Sequence, residues 1–408
     1  MKEKNTHLLA EKFISHHLII IALFILGLLV YYRSLECVFL FDDIALILDN
    51  PLIKKFSYIK DIFKTHLYYG SGTYSNFYRP IQSLSYMFDY HIWGLKPFGY
   101  HLTNTVLHII NSICVYFLCY KISKKQDAGI IAGLLYCVHT VLSGTVYYIA
   151  SRADILSSTF FLLATLFYLL YKDSDINNKN AIFFYLFSLT SFILALLSKE
   201  ISIIVPLVLM LCLFYQDKYR VKNKRPCLIW IFFIIAILYA LLRATLLNFT
   251  EGKLIETTTA PIPLYNRLLT TAKVIMIYLR LLFVPIGLHM EWNIDPARSF
   301  LQDEVFLSVF GLFVIGFFGY FLFRSSKEKF FAFSWFFITL LPYSNIFPLA
   351  YFMGEGWLYL PSAGFFILVA LYFSEIRRKS RLWSNVFTLS IISIVMSVYH
   401  RMILNVLN

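Results

Sequence analysis

The chain has 408 residues, of which 59% are apolar and 14% charged, and its formal net charge is +13. Soluble domains are about 45–50% apolar and about 25% charged, so this composition excludes a soluble globular protein and indicates an integral membrane protein. The basic residues stand in short clusters between apolar runs, as the positive-inside rule describes for cytoplasmic loops. We therefore interpret the charge as topology and expect no nucleic-acid partner.

The first apolar run, from about His17 to Tyr32, follows a polar segment, and no small-residue cleavage site precedes Arg33. It predicts a retained first span rather than a removed signal peptide. Further along the chain, basic clusters predict cytoplasmic loops at about 121–125, 172–179, 218–225, 324–329 and 377–381.

Two cytoplasmic loops must be separated by an even number of spans, and one interval breaks this rule. Three apolar stretches lie between Arg225 and Arg324. The middle one, at about 268–286, carries or adjoins Arg267, Lys273 and Arg280, and charges at bilayer depth would cost several kcal/mol. We predict that this stretch lies in the outer interface or folds over the bundle.

The resulting fold class is an all-α integral membrane protein with about eleven spans, a cytoplasmic N-terminus and an outer C-terminus. The predicted spans are 16–33, 102–120, 128–146, 154–171, 181–198, 201–216, 228–247, 305–323, 330–347, 357–374 and 383–404. Two long outer segments follow, 34–101 and 248–304, and we expect interfacial helices in both, including 51–64 and 80–93 in the first. We treat residues 1–408 as one domain.

An acidic pair, Asp42 and Asp43, stands just outside the first predicted span. Adjacent carboxylates repel each other, which tends to raise one pKa and to give the two groups different roles. One could act as a base towards an acceptor hydroxyl at the membrane surface. A solvated turn or a helix cap is the simpler interpretation of the pair taken alone.

Other short motifs lie at or near the predicted outer ends of spans. They are Phe41-Asp42-Asp43, Tyr78-Arg79-Pro80, Pro97-Phe98-Gly99-Tyr100-His101-Leu102-Thr103-Asn104, Val138-His139, Arg152-Ala153-Asp154, Lys199-Glu200 and Leu358-Tyr359-Leu360-Pro361-Ser362-Ala363-Gly364. This ordered set resembles the transmembrane and tetratricopeptide-repeat O-mannosyltransferases and their bacterial relatives, over nearly the whole chain. These proteins are related to the protein O-mannosyltransferases within the GT-C glycosyltransferase superfamily.

The resemblance implies a GT-C-like bundle of about eleven transmembrane helices and a glycosyltransferase that takes a sugar, such as mannose, from a polyprenyl-phosphate donor. The acceptor would be a hydroxyl of a protein Ser or Thr, a lipid or a glycan, approaching from the outer or lumenal side. The corresponding location is the inner membrane of a bacterium or the endoplasmic reticulum of a eukaryote. The tetratricopeptide array expected after the last span is absent from this sequence.

Residue roles follow position by position from that resemblance. Asp42 matches the first acidic residue of the first outer loop and becomes the expected general base, with Asp43 as its partner. Cationic side chains are expected to hold the donor phosphate, because Arg offers bidentate geometry to phosphoryl oxygens. The expected donor or substrate contacts are Arg79, His101, His139, Arg152, Asp154, Lys199, Glu200 and Glu355.

Each of these contacts has a structural alternative. Arg152 and Asp154 could form an ion pair at the end of a span, and Lys199 and Glu200 could form an interfacial pair that snorkels. His101 and His139 fit the pattern of satisfied structural histidines, and Glu355 needs no special role in a polar loop.

We expect neither a metal nor a cofactor. The six cysteines show no disulfide framework or zinc-ligand spacing. Asp173-Ser174-Asp175 imitates a metal-binding Asp-x-Asp signature, but it falls in a short predicted cytoplasmic loop, and we interpret it as solvated.

Two alternatives to an enzyme stay open. A transporter or flippase of a lipid-linked saccharide also has many spans, although transporters concentrate ionisable groups near the midplane and often contain repeated halves. A noncatalytic family member is the second alternative, because Leu142 and Gly144 stand where the relatives commonly carry His and Glu. Gly356 likewise stands where they tend to have Arg.

Overall fold

The computed structural model describes residues 2–174, 180–216, 228–249 and 262–379. These residues form helices and loops, with no β-strand among them. The α-helices are α1 (Lys2–Tyr31), α2 (Ile59–Ile62), α3 (Pro80–Trp93), α4 (Pro97–Ser123), α5 (Gln126–Val138), α6 (Ser143–Tyr147), α7 (Arg152–Asp173), α8 (Asn180–Ser198), α9 (Val205–Gln216), α10 (Ile229–Ala244), α11 (Leu264–Phe283), α12 (Asp303–Ser325), α13 (Lys327–Leu340) and α14 (Pro361–Lys379). The all-α prediction is therefore confirmed for the described part.

Five segments of the described chain are helical, long and apolar enough to cross a membrane: His16–Glu36, Pro97–Ser123, Ile149–Asp173, Asn180–Ser198 and Asp303–Ser325. They correspond to five of the predicted spans. About 20 apolar residues in a helix are long enough to cross the hydrocarbon core, and the helix satisfies its backbone hydrogen bonds internally. Counting α5 and α6 as one broken span gives six. The predicted number of eleven is not confirmed.

The remaining predicted spans differ in several ways. The span predicted at 128–146 is interrupted at His139, where the chain bends by 48° between α5 and α6. The apolar helices in the intervals 201–216 and 228–247 are shorter than a full span. Helix α13 ends at Leu340 rather than near residue 347, and the span predicted at 383–404 lies outside the described residues.

The first outer segment contains less regular helix than the sequence suggests. Helix α3 coincides with the predicted stretch at 80–93, with Pro80 at its first position, where a missing N–H is harmless. The stretch predicted at 51–64 is instead divided into the 3₁₀ turns Pro51–Lys54 and Phe56–Tyr58 and the single-turn α2.

Helices α4, α5, α7 and α14 surround the best-buried part of the bundle. Tyr359, just before α14, is the hydrogen-bonding centre of this core. Its hydroxyl lies 2.7 Å from Nδ1 of His108 and accepts a 3.1 Å hydrogen bond from Asn111. Its carbonyl accepts a 2.9 Å hydrogen bond from the Tyr136 hydroxyl. The Leu358-Tyr359-Leu360-Pro361 motif is thereby fixed over α4 and α5.

Basic ends of several helices meet at one end of the bundle. Lys121 at the end of α4 pairs with Asp173 at the end of α7, at 2.8 Å. Glu375 near the end of α14 pairs with Lys329 at 2.7 Å and with Lys125 at 3.6 Å. The charge pattern predicts that these ends are cytoplasmic, and their proximity agrees with even numbers of crossings between them. Which side of a membrane they face is still a prediction.

The cation-bearing stretch at 268–286 forms most of α11, which is not among the described helices that meet the length and hydropathy requirement for a span. Two of the three cations, Arg267 and Lys273, have polar partners. Arg267 donates to the carbonyls of Asn345 and Ile346 at 2.7 and 3.0 Å, and Lys273 pairs with Glu304 at 3.0 Å. Helix α11 therefore packs against α12 and the loop after α13, and its placement relative to a bilayer stays a prediction.

Candidate active site

Asp42 and Asp43 occupy different environments although they are adjacent. Asp42 is exposed, whereas Asp43 is 1% exposed. One oxygen of Asp43 accepts from the N–H of Leu40 at 3.0 Å, and the other accepts from the N–H of Ala150 at 2.8 Å. Asp43 thus fastens the beginning of the first outer loop to the turn that precedes α7, and Asp42 is the exposed member of the pair.

Burial raises the pKa of Asp43 from 3.8 to about 6. The two backbone hydrogen bonds oppose this shift, and the neighbouring charge of Asp42 adds to it. The sequence-based expectation that adjacent carboxylates would have separate roles therefore has a physical basis in their different burial.

Two tyrosines that the sequence did not single out flank Asp42. The hydroxyl of Tyr148 accepts a hydrogen bond from the Asp42 N–H at 3.2 Å. Burial raises the pKa of both Tyr68 and Tyr148, and the negative charge of Asp42 raises it further. The charge of Arg79 acts in the opposite direction on Tyr68, so Tyr68 lies in the fields of both the expected base and an expected phosphate ligand.

The backbone beside Asp42 is strained. Phe41 has a φ of 48°, in the left-handed region that residues other than Gly and Asn seldom adopt. Its large apolar side chain is 64% exposed, so packing of the ring does not account for this conformation. The hydrogen bonds of Asp43 and Tyr148 hold the turn on both sides of the strained residue.

Arg79 and Glu200 join the first outer loop to the turn between α8 and α9. Nε and Nη2 of Arg79 donate to the two carboxylate oxygens at 3.1 and 2.7 Å. Burial alone would raise the pKa of Glu200, but the charge and hydrogen bonds of Arg79 outweigh burial and lower it to about 2. The same pairing raises the pKa of Arg79 against the effect of burial.

Lys199 and Asp154 form a second ion pair beside the first. Lys199 Nζ lies 2.6 Å from Asp154 Oδ1, and both residues are buried. The ammonium also lies 5.9 Å from the ring centroid of Tyr343. The two alternative pairings suggested by the sequence, Arg152 with Asp154 and Lys199 with Glu200, are therefore wrong, because each residue pairs with a partner from another element.

Arg152 is fully buried and differs from the other two cations in its remaining donors. It donates from Nε to Asn104 at 2.8 Å, from Nη1 to Asp89 and to Ser85 at 3.4 Å, and from Nη2 to the Tyr100 carbonyl at 2.6 Å. These contacts use four of the five N–H groups of a guanidinium. Among the described residues, Arg79 uses two of five and Lys199 one of three.

The two predicted histidines have different surroundings. His139 accepts the N–H of Val141 at Nδ1, at 3.3 Å, and Nε2 lies 3.1 Å from the Leu282 carbonyl. It is thereby a neutral cap at the break between α5 and α6, tied to α11. His101 is 1% exposed, and no side chain or backbone group of the described chain completes a hydrogen bond of normal geometry with its ring.

Glu355 is 5% exposed and lies in the 3₁₀ turn before α14. One of its oxygens accepts from the N–H of His289 at 2.5 Å and from the indole of Trp292 at 3.2 Å. The other oxygen faces Gly144, since a Cβ at that glycine would lie 3.8 Å from it. The described residues contain no cluster of three His, Cys, Asp or Glu side chains that could hold a metal.

Comparison with known proteins finds relatives over most of the chain. The mouse protein O-mannosyl-transferase TMTC3 is 31% identical over 86% of this chain and 41% of its own length. The Caenorhabditis elegans protein O-mannosyl-transferase F38B6.6 is 26% identical over 86% of this chain and 50% of its own length. The chain thus spans half or less of the length of these relatives, and no family model matches it.

A solved structure, that of ArnT from Cupriavidus metallidurans bound to undecaprenyl phosphate, aligns with 87% of this chain and 60% of the ArnT chain. Its TM-score is 0.49 and its sequence identity is 14%.

Proposed function

We propose, from the premise that this chain is a homologue of the protein O-mannosyl-transferases over most of its length, that it is a membrane glycosyltransferase. The donor is a polyprenyl-phosphate-linked sugar, with mannose the first to test because the relatives are named for it. The acceptor is a hydroxyl, a protein Ser or Thr being the first candidate. Transfer inverts the anomeric centre.

The single observation that carries this proposal is the difference in environment between the two acidic residues. Asp42 is exposed and held by a strained turn and by Tyr148, whereas Asp43 has both oxygens committed to backbone N–H groups. A fixed, accessible carboxylate suits a general base. Because both oxygens of Asp43 accept backbone hydrogen bonds, the pair offers one accessible carboxylate. A covalent sugar intermediate would require two, a nucleophile and a separate acid/base.

In the proposed step, the acceptor oxygen forms a bond to the anomeric carbon while its proton passes to the Asp42 carboxylate. The bond between the anomeric carbon and the phosphate oxygen breaks, and its electron pair stays on the phosphate. Cationic donors positioned at that phosphate would stabilise the developing charge.

Arg79 and Lys199 are the cations best suited to this role, because both keep N–H donors after forming their ion pairs. Their pairing with Glu200 and Asp154 holds them in fixed positions before a ligand binds, which reduces the entropy lost on binding. Arg152 has too few remaining donors and is 0% exposed, so we assign it a structural role.

The test is transfer by the purified full chain in lipid nanodiscs, with radiolabelled polyprenyl-phosphate mannose as donor and Ser- or Thr-containing peptides as acceptors. The proposal expects label on the peptide with the anomeric configuration opposite to that of the donor. Movement of intact donor between leaflets without transfer would indicate a transporter instead. Neither transfer nor movement, with the donor bound, would indicate a noncatalytic member.

A further inference from the structure

Two glycines lie on neighbouring segments beside the ion pairs of the candidate active site, and each is close to side chains of the other segment. Gly144 lies in α6, and Gly356 lies in the 3₁₀ turn Glu355–Leu358. A Cβ at Gly356 would lie 3.5 Å from Thr145 Oγ1 and 4.0 Å from Asp154 Oδ2, while a Cβ at Gly144 would lie 3.8 Å from Glu355 Oε2. Gly144 is exposed and Gly356 is half-buried, and we call the surroundings of these two glycines the glycine cleft.

A second and independent feature of the glycine cleft is the hydroxyl of Thr145. Its side-chain hydroxyl is buried, the residue being 3% exposed, and it has no hydrogen-bond partner in the described part of the chain. A helical Thr usually satisfies its hydroxyl on a carbonyl one turn earlier. Leaving a buried hydroxyl unpaired is unfavourable, so a ligand group that hydrogen-bonds Thr145 would recover that free energy.

The side chains on the two sides of the Lys199–Asp154 pair differ in charge. On one side lie the cations with spare donors, Arg79 and Lys199. On the other side, Asp154 Oδ2, Glu355 Oε2 and the Thr145 hydroxyl border the glycine cleft. Carboxylates repel a phosphate but accept hydrogen bonds from neutral hydroxyls, so the cleft suits an uncharged, hydroxyl-rich group.

Aromatic rings adjoin both sides of this boundary. Trp357, next to Gly356 in the chain, stacks on Tyr343 with ring centroids 4.8 Å apart and planes inclined by 12°. Tyr343 in turn lies under the ammonium of Lys199. A glycosyl phosphate has the same order of groups, an anion joined directly to a ring that carries hydroxyls and apolar C–H faces.

We propose that the glycine cleft is the subsite for the sugar hydroxyls of the lipid-linked donor, with Thr145, Asp154 and Glu355 as its hydrogen-bonding groups. The glycines at 144 and 356 make room for the sugar ring. This inference rests on the proposed function and adds to it the place where the sugar, as distinct from the phosphate, is bound.

The key variant is Thr145→Val, which keeps the shape of the side chain and removes the hydroxyl. Gly356→Val fills the cleft, and its added side chain starts at ordinary contact distances from its neighbours. Gly316→Ala in α12 is the matched control, since a Cβ there meets no atom within 4 Å. The measurement is the affinity of each full-length protein in nanodiscs for polyprenyl-phosphate mannose and for polyprenyl phosphate without a sugar.

Wild type and Gly316→Ala should bind the mannosylated lipid more tightly than the bare lipid. Thr145→Val should reduce this preference by about twofold to tenfold, as expected for one hydrogen bond, and Gly356→Val should abolish it. Affinity for the bare lipid should stay unchanged. Because the orphan hydroxyl is removed, the melting temperature of ligand-free Thr145→Val should equal or exceed that of wild type, which separates lost recognition from misfolding.

An unchanged preference in both Thr145→Val and Gly356→Val would overturn the sugar subsite while leaving the proposed function intact. A wild-type protein that binds both lipids equally would do the same. Failure of wild type to bind either lipid would instead contradict the proposed function itself.

Discussion

Asp43 accepts a 2.8 Å hydrogen bond from the backbone N–H of Ala150, which joins the first outer loop to the turn that begins α7. The same turn is held from α3, because Tyr86 donates to the Ile149 carbonyl at 3.0 Å and Gln82 donates to the Ala150 carbonyl at 2.9 Å. The buried neighbour of Asp42 therefore fixes the backbone on which Asp42 stands.

Asp43→Asn should change how stability depends on pH. Because the pKa of Asp43 is raised in the folded protein from 3.8 to about 6, its stabilising contribution is full below pH 3.8 and is lost as the pH rises through about 6. The melting temperature of wild type relative to Asp43→Asn should therefore fall between pH 4 and 7. Asp61→Asn, which removes an exposed acid of the same loop, is the control. A difference in melting temperature between wild type and Asp43→Asn that stays constant from pH 4 to 7 would contradict the raised pKa of Asp43.

Variants of the Arg79–Glu200 pair should distinguish its contribution to stability from its contribution to donor binding. Glu200→Gln leaves the half-buried guanidinium without its counter-charge and should lower the melting temperature. Adding Arg79→Gln should recover most of that loss, since both charges are then removed. Affinity for polyprenyl phosphate should nevertheless fall by about tenfold or more in the double variant, because a phosphate ligand is missing. Recovery of both properties would show that Arg79 is structural only.

Arg152 and Lys199 should give opposite results in the same two assays. Arg152→Lys loses the planar set of donors that reaches Asn104, Asp89 and Tyr100, so its melting temperature should drop while its affinity for polyprenyl phosphate, measured below that temperature, stays near wild type. Lys199→Gln should reduce the affinity. The roles would have to be exchanged if Arg152→Lys alone weakened lipid binding.

The topology can be tested at two exposed positions. Asp61 lies in the first outer segment, and the Lys124 side chain is 66% exposed at the opposite, basic end of the bundle. Cysteines introduced by Asp61→Cys and Lys124→Cys should react with an impermeant maleimide from opposite sides of a sealed membrane, with Asp61→Cys outside. Labelling of both from one side would refute the predicted orientation.

Helices that are simple apolar runs could be predicted from the sequence, and α4, α7, α8 and α12 begin and end within a few residues of their expected limits. The break at His139 could not, because it depends on Nδ1 capping Val141 and on a contact with Leu282 far along the chain. Nothing in the local pattern of residues encodes that contact.

The ionic partners were missed for a related reason. Sequence proximity suggested Arg152 with Asp154 and Lys199 with Glu200, but residues one or two apart on a helix do not face each other. Each of them reaches an element that is distant in sequence. Tyr68, Tyr148 and Thr145 were missed because isolated Tyr and Thr residues in an aromatic-rich membrane protein carry no distinguishing signal.

The most direct test of the account is the rate of sugar transfer by Asp42→Asn, measured beside wild type and the exposed-acid control Asp61→Asn, with donor affinity measured on the same samples. Asn keeps the size of the side chain and removes the base. We expect transfer to fall by about 10²-fold or more, with affinity for polyprenyl-phosphate mannose and the rate of Asp61→Asn both near wild type. Transfer by Asp42→Asn at the wild-type rate would contradict the assignment of Asp42 as the catalytic base.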